Sequence, residues 1–317
     1  MYSCAVQIRI RNLDYDTYPC VLHHNGGDHL SRHGLELKRR FFDLIGEPGM
    51  RLHFSKSGRL AGVQTYRRPR PQAKIRRLPE LSIVTFCSYR FPGSAELSLN
   101  HFGVGVDVVR PAGTWRNIRK LGLLQSYLDG VDSQYVLYLD SHDTFVTRDI
   151  LDIVGCFEKM GCPMVFQADA HDWPESDELR PFYDSIAEKH ATFRYLCSGI
   201  FMGETAFVKR VVQRALETDP IKEHDDQGVY RKVFREFHPE ARLDYRCELF
   251  QPLTDYRHSR RPLPIEPVEL NLELRCRLDA ASAPDPKALS ARKLLRASTY
   301  KLLRILDRVS NPFDQHR

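Results

Sequence analysis

The sequence predicts an α/β fold: a mainly parallel sheet covered by helices. Three observations predict it. Runs rich in β-branched and aromatic residues, LSIVTFCSY, YVLYLD and PMVFQAD, recur between residues 81 and 253. Segments with helical spacing separate them, and such alternation marks strand–helix–strand units. The composition, 42% hydrophobic and 28% charged, suits a soluble packed globule rather than a disordered chain.

Residues 1–66 open with AVQIRIRN, which alternates as a strand does. HHNGGDH is turn-rich. LELKRRFFDLI has helical spacing and is stopped by Gly46 and Pro48. MRLHFSKSGRLAGVQTY reads as two strands joined at Ser57-Gly58. Residues 67–80, RRPRPQAKIRRLPE, have few core-forming side chains and read as an exposed, solvated basic tether.

Residues 81–255 carry the alternation. IRKLGLLQSYLDG, DILDIVGCFEKMG, FVKRVVQRALET and DDQGVYRKVFREF are the helical segments between the strands. Residues 256–317 read as a polar linker followed by KALSARKLLRASTYKLLRILDRV, whose leucines share an apolar face ringed by Lys and Arg. This basic amphipathic helix could dock on an anionic membrane surface. The preferred reading is a helix packed on the domain with a solvated basic side.

Charge and cysteine usage exclude some classes. Lys plus Arg is 47 against 41 for Asp plus Glu, and a net charge of +6 is too small to imply nucleic-acid binding. No apolar run reaches the length of a membrane span. Arg9 and Arg11 interrupt the N-terminal apolar stretch, so a secretory signal is not expected. The eight cysteines include no C-x-x-C pair and read as buried free thiols. The expected location is cytoplasmic, with peripheral contact at the inner membrane face if the C-terminal helix docks there.

Parallel sheets place ligands beyond the carboxyl ends of their strands, so the residues after each apolar run are the candidates. YVLYLDSHDTFV runs a buried strand into Asp140, with Asp143 three residues later. Two adjacent carboxylates repel unless a cation sits between them, and Mg²⁺ or Mn²⁺ would fit. Against this stands a helix-capping role. In HDDQGVY, Asp225 and Asp226 read either as an acidic helix start or as carboxylates facing sugar hydroxyls. In QADAHDWPE, Asp169 ends another strand, on the same edge as Asp140, and Trp173 could cover a sugar face or plug a loop. In YLCSGIFMG, Ser198-Gly199 permits close backbone approach to a ligand, or makes a tight turn.

Taken in order, these segments resemble the glycosyltransferase domain of the procollagen lysyl hydroxylase (PLOD-type) enzymes, which has a GT-A nucleotide-diphospho-sugar transferase fold. The matching residues are Asp140-Ser141-His142-Asp143, Trp173-Pro174-Glu175, Leu196-Cys197-Ser198-Gly199, Asp225-Asp226-Gln227 and Leu249-Phe250-Gln251. A further match, Arg9-Ile10-Arg11-Asn12 through Tyr15-Asp16-Thr17, Pro19, Val21 and His23 to Asn25-Gly26, follows the core in the family and precedes it here. The chain therefore resembles a circular permutant of that fold, or carries a relic of an upstream tandem copy. Permutation is physically reasonable, because domain termini are often close together.

The resemblance implies that Asp140, Asp143 and His23 bind Mn²⁺ together with the diphosphate of a UDP-sugar. It implies that His142 stacks on uracil, and that Asn25, Ser141, Lys120, Ser198 and Gly199 line the nucleotide site. Asp225, Asp226 and Trp173 would face the sugar and acceptor. Three features depart from the family: Cys197 stands where it has Asn, His142 is a smaller ring, and Gly27-Asp28-His29 lacks a phosphate-facing lysine. No hydroxylase portion is recognised, so a collagen-lysine acceptor is not implied.

The expected activity is metal-dependent transfer of a hexose, glucose or galactose, from a UDP-sugar to a hydroxyl acceptor that is a glycan, peptide or small molecule. The alternative is a catalytically degenerate transferase fold that binds membrane or a polyanion. A sugar-nucleotide pyrophosphorylase usually needs a Gly-rich phosphate loop, and YRFPGSAEL is a poor one.

Overall fold

The computed structural model describes residues 2–12, 15–24, 38–39, 41–42, 50–54, 60–65, 75–189, 191–253 and 268–278. Two compact units divide the chain: Ile8–Leu272, and Met1–Gln7 together with Glu273–Arg317. Asn25, Gly46, Pro48 and the basic C-terminal helix lie outside the described residues.

In chain order the strands are β1 (Tyr2–Asn12), β2 (Val21–His23), β3 (Met50–Phe54), β4 (Leu60–Thr65), β5 (Leu81–Phe86), β6 (Asp107–Val109), β7 (Tyr135–Leu139), β8 (Thr144–Val146), β9 (Met164–Asp169), β10 (Tyr195–Glu204), β11 (Ala241–Asp244), β12 (Phe250–Pro252) and β13 (Val268–Leu278). The helices are α1 (Ser94–His101), α2 (Arg119–Leu128), α3 (Ile150–Met160), α4 (Arg180–Ile186), α5 (Thr205–Leu216) and α6 (Gln227–Phe237).

Six strands form the main sheet in the order β11-β9-β10-β7-β5-β6. The mainly parallel expectation holds for β11 on β9 and for β7, β5 and β6. β10 is the exception, antiparallel to both β7 and β9. Residue alternation reports which side chains face which layer, and it is identical for either strand direction. The sequence therefore predicts the strand but not its reversal.

Alternation divides each strand between two helical layers. Val136 and Tyr138 of β7 join Phe166, Phe201 and the apolar faces of α2, α5 and α6. Leu137 and Leu139 join Ile83, Ile200 and Met202 against Ala95 and Leu99 of α1 and Ile153 and Phe157 of α3. Each such large apolar side chain gains about 1.5–3 kcal/mol on burial. A sheet covered on both faces leaves its strand ends as the place for ligands.

A second sheet, ordered β12-β2-β8, positions the N-terminal segment. β2 runs parallel to β12 and antiparallel to β8, with His23 in register with Pro252 and Thr144. Its neighbours Cys20, Val21 and Leu22 have no exposed surface. Phe41 and Phe42 close this sheet by packing on Phe145.

Two expectations change. Residues 67–74 of the expected tether lie outside the described residues; at its end Arg76 and Arg77 are exposed but tied down, Arg76 to Asp149 at 2.6 Å and Arg77 to Asp107 at 2.8 Å. The polar-linker reading of residues 256–317 misses β13, which pairs with β1. β3 and β4 form the antiparallel pair expected around Ser57-Gly58.

Candidate functional site

Buried β7 delivers Asp140 to the end of the sheet, and the turn Ser141–Asp143 leads straight into β8. Because β8 pairs with β2, the His23 backbone lies beside this turn, and the His24 N–H donates to the Asp143 carbonyl at 2.7 Å. The outcome is a cluster of His23, Asp140 and Asp143, each offering one ligand atom, with these atoms within 4.8 Å of one another. His23 Nε2 is 3.4 Å from Asp143 Oδ2.

Two neighbours shape the imidazole. His23 Nδ1 is 2.7 Å from Gln167 Oε1 on β9, and Cys197 Sγ is 3.7 Å from the same nitrogen. Donation from Nδ1 to Gln167 leaves Nε2 turned toward the carboxylates, which is how a ligating histidine is usually oriented. Gln167 and Cys197 are register partners across β9 and β10. Gln167 therefore brings a side-chain amide to His23 from the strand beside Cys197. Gln167 is a residue the sequence reading missed, since pairing partners are not visible in one dimension.

Gly199 makes room for the cluster. A β-carbon there would sit 2.2 Å from His23 Cε1 and 2.9 Å from Asp140 Oδ2. The irregularity in β10 between Cys197 and Phe201 carries this residue, and its carbonyl accepts from the Asp140 N–H at 2.8 Å.

Lys120 of α2 balances the charge. Its Nζ donates to Asp140 Oδ1 at 2.8 Å and Oδ2 at 3.1 Å, and lies 3.8 Å from Asp226 Oδ2. Tyr138 OH donates to Asp140 Oδ1 at 2.5 Å. Burial works against the Lys120 ammonium, but Asp140 and Asp226 more than offset it and hold its pKa above the ordinary lysine range. Burial likewise opposes charge on His23, and the Asp143 carboxylate outweighs it, so the imidazole pKa lies well above its usual value. Asp143 is held well below the carboxylate range, its burial being overcome by His23 and Lys120.

The paired acids split. Asp225 Oδ2 accepts the Gly228 N–H at 2.9 Å, so this residue serves the start of α6. Asp226 turns inward with 3% of its surface exposed, accepting from Ser198 Oγ at 3.3 Å. Burial, with Lys120 acting against it and Asp140 adding to it, pushes the Asp226 pKa up to about 6.

The remaining candidates lie around this centre. Ser141 is buried, with its Oγ against Gly93, and its carbonyl accepts the Ala95 N–H at the start of α1. His142 meets Tyr89 edge-on at 4.3 Å and Phe91 at 5.4 Å. Burial, helped by Lys38, lowers its pKa to about 4, so the ring is neutral near pH 7. Tyr89, half exposed, and Phe91 were missed although they lie shortly after the first main-sheet strand. Asp169 is buried at the end of β9 and accepts the His171 N–H at 3.2 Å.

Trp173 does not belong to the metal-ligand cluster; half of it is exposed, and Lys222 Nζ sits 4.3 Å over its ring. Its loop is tied to the centre through Gln227, whose Nε2 donates to the Trp173 carbonyl at 2.5 Å and whose Oε1 accepts the Ser198 N–H at 3.4 Å. From beneath, fully buried Arg231 donates to the Pro174 carbonyl and pairs with Asp172.

The donor set suits a divalent cation. One imidazole and two carboxylates match the mixed nitrogen–oxygen ligation of first-row divalent metals, and Gly199 leaves space where a side chain would intrude.

About half of the chain is similar to known proteins. The procollagen-lysine,2-oxoglutarate 5-dioxygenase of Drosophila melanogaster is 30% identical over 165 residues, 50% of this chain and 21% of that protein. The procollagen-lysine,2-oxoglutarate 5-dioxygenase 2 of Homo sapiens is 28% identical over 155 residues, 47% of this chain and 20% of that protein. The human multifunctional procollagen lysine hydroxylase and glycosyltransferase LH3 is 26% identical over 156 residues, again 47% and 20%. The matches span about a fifth of the length of these relatives. The family model for the PLOD GT domain matches residues 96–262, more than half of the chain. With a six-stranded sheet flanked by helices and the acidic turn at its edge, this chain belongs to the family of PLOD glycosyltransferase domains.

Proposed function

We propose that the protein transfers a hexose, glucose or galactose, from a UDP-sugar to a hydroxyl acceptor in a reaction that requires Mn²⁺. The observation that carries this reading is the convergence of His23, Asp140 and Asp143 from two distant parts of the sequence. These three residues would hold the ion. Bound there, a divalent cation supplies Lewis-acid neutralisation of the charge on a departing diphosphate, worth several kcal/mol.

The chain's own groups divide the remaining work. Lys120 orients Asp140 by donating to both of its carboxylate oxygens, and it sets a positive charge between Asp140 and Asp226. Asp226, held by Ser198 beside Lys120, is the carboxylate available to orient an acceptor hydroxyl or to stabilise positive charge on a sugar ring. Asp225 acts by fixing the start of α6, which places Asp226. Tyr89, Phe91 and neutral His142 form an aromatic group suited to a nucleobase face, and exposed Trp173 is suited to a sugar face.

The order of segments fits a circular permutation and a relic of an upstream tandem copy alike. β2 takes backbone partners on both sides, β12 and β8, so a strand from the beginning of the chain fills a place inside the domain. Ligands do not sense chain order.

The test is release of UDP from UDP-glucose and UDP-galactose with and without Mn²⁺. Release that needs the metal and is lost in Asp140→Ala, with the circular dichroism spectrum unchanged, is the expected result. Metal-independent release, or full activity in Asp140→Ala, would overturn the assignment.

A further inference from the structure

Outside the candidate site, two cysteines 136 positions apart come into contact. Cys20 Sγ and Cys156 Sγ are 3.7 Å apart. Cys20 has no exposed surface and immediately precedes β2; Cys156 lies on α3 and is partly exposed. Arg148 joins the two elements: its Nη1 lies 3.7 Å from Cys156 Sγ and donates to the Tyr18 carbonyl at 3.2 Å, while its Nε pairs with Asp152 at 3.3 Å. Thr147 fixes the same stretch of chain, its N–H and hydroxyl both donating to the Cys20 carbonyl.

We propose that Cys20 and Cys156 form a dithiol–disulfide couple that takes a small-molecule disulfide as its oxidant and locks the segment leading into β2 onto α3. Cys156 is the attacking thiol, because it is reachable from solvent and has a guanidinium beside it. Its pKa is lowered to about 6, first by the hydrogen bond from the Cys20 thiol, with Arg148 adding to the effect. Cys20 is the resolving thiol, with a pKa raised by that same contact and by burial.

The steps balance. The Cys156 thiolate attacks one sulfur of the disulfide RSSR, forming a mixed disulfide and expelling RS⁻. Cys20 gives up its proton, attacks the Cys156 sulfur and expels the second RS⁻. In total two protein thiols are oxidised to one disulfide, and one RSSR is reduced to two RSH. The sulfurs must close from 3.7 Å to a bond of about 2.05 Å. A lone thiol would stop at the mixed disulfide; the second sulfur in contact is what makes the couple.

The experiment uses the full chain incubated with oxidised glutathione, followed by alkylation, intact mass and peptide mapping. The expected result is a species lighter than the reduced chain by two hydrogens before alkylation and carrying two fewer alkyl groups after it, with residues 20 and 156 in one cross-linked peptide, reversed by dithiothreitol. A stable glutathione adduct on Cys156 in wild type, or unmodified Cys20 and Cys156 under conditions that oxidise other cysteines, would overturn the proposal. Cys20→Ser is expected to halt at the Cys156 adduct, and Cys156→Ser to give no bond at residue 20. The wild-type map decides the question even if the buried Cys20 variant fails to fold. No step depends on metal or sugar, so the outcome is separate from that of the transferase assay.

Discussion

Gly199→Ala tests the geometry of the candidate metal centre with one methyl group. Gly199 is not among the described residues with positive φ, so alanine imposes no backbone strain there. The cost is steric. The new β-carbon would lie 2.2 Å from His23 Cε1, where ordinary contact begins near 3.4 Å, so the imidazole must retreat by about 1.2 Å. His23 is 3% exposed and held by Gln167 and Cys197, which leaves it little room to move. Overpacking of this kind costs about 1–3 kcal/mol. Metal ligation tolerates only about 0.2 Å of displacement, so the effect on Mn²⁺ affinity should exceed the effect on folding. The assay is Mn²⁺ titration followed by electron paramagnetic resonance, beside urea denaturation. Gly122→Ala is the control, since nothing lies within 4 Å of where its β-carbon would sit and it lies inside α2; it should leave metal binding unchanged and stabilise by about 0.5–1 kcal/mol. Wild-type Mn²⁺ affinity in a folded Gly199→Ala protein would refute the placement of His23 at the ion.

Two further outcomes follow from the same contacts. Gln167→Ala removes the acceptor at His23 Nδ1 and should weaken Mn²⁺ binding about 10–100-fold, as losses of such supporting partners do, with Gln167→Glu restoring part of it; an unchanged affinity would remove Gln167 from the site. Asp226 has a folded pKa of about 6, above that of an unfolded carboxylate, so the folded chain holds this proton more tightly. Its contribution to stability is therefore full at low pH and falls as pH rises from about 4 to about 6, by about 3 kcal/mol. Asp226→Asn should abolish that fall in denaturation midpoints measured across pH 4–7, and parallel profiles for the two proteins would contradict it.

Much of the architecture was legible in local pattern. The apolar runs at residues 81–86, 135–139 and 164–169 are strands, and the helical spacings before and after them are helices. β13 was legible too: VELNLELRCRL alternates residue by residue, but its proline-rich surroundings drew it into a linker reading. Direction was not legible, because the alternation of β10 is the same for either orientation. The paired acids could not be separated either. Asp225 and Asp226 are adjacent and chemically alike, and only the approach of Lys120 and Ser198 from other elements distinguishes them.

By itself the sequence determined the elements and the acidic turn after β7, because strand and helix periodicity and residue chemistry are local properties of the chain. Tertiary structure alone decided what meets that turn. His23 reaches Asp140 and Asp143 because β2 pairs with β8, Gln167 reaches His23 from β9, and Cys20 touches Cys156 across 136 positions. Contacts of that range are fixed by strand register and layer packing, which are properties of the whole fold.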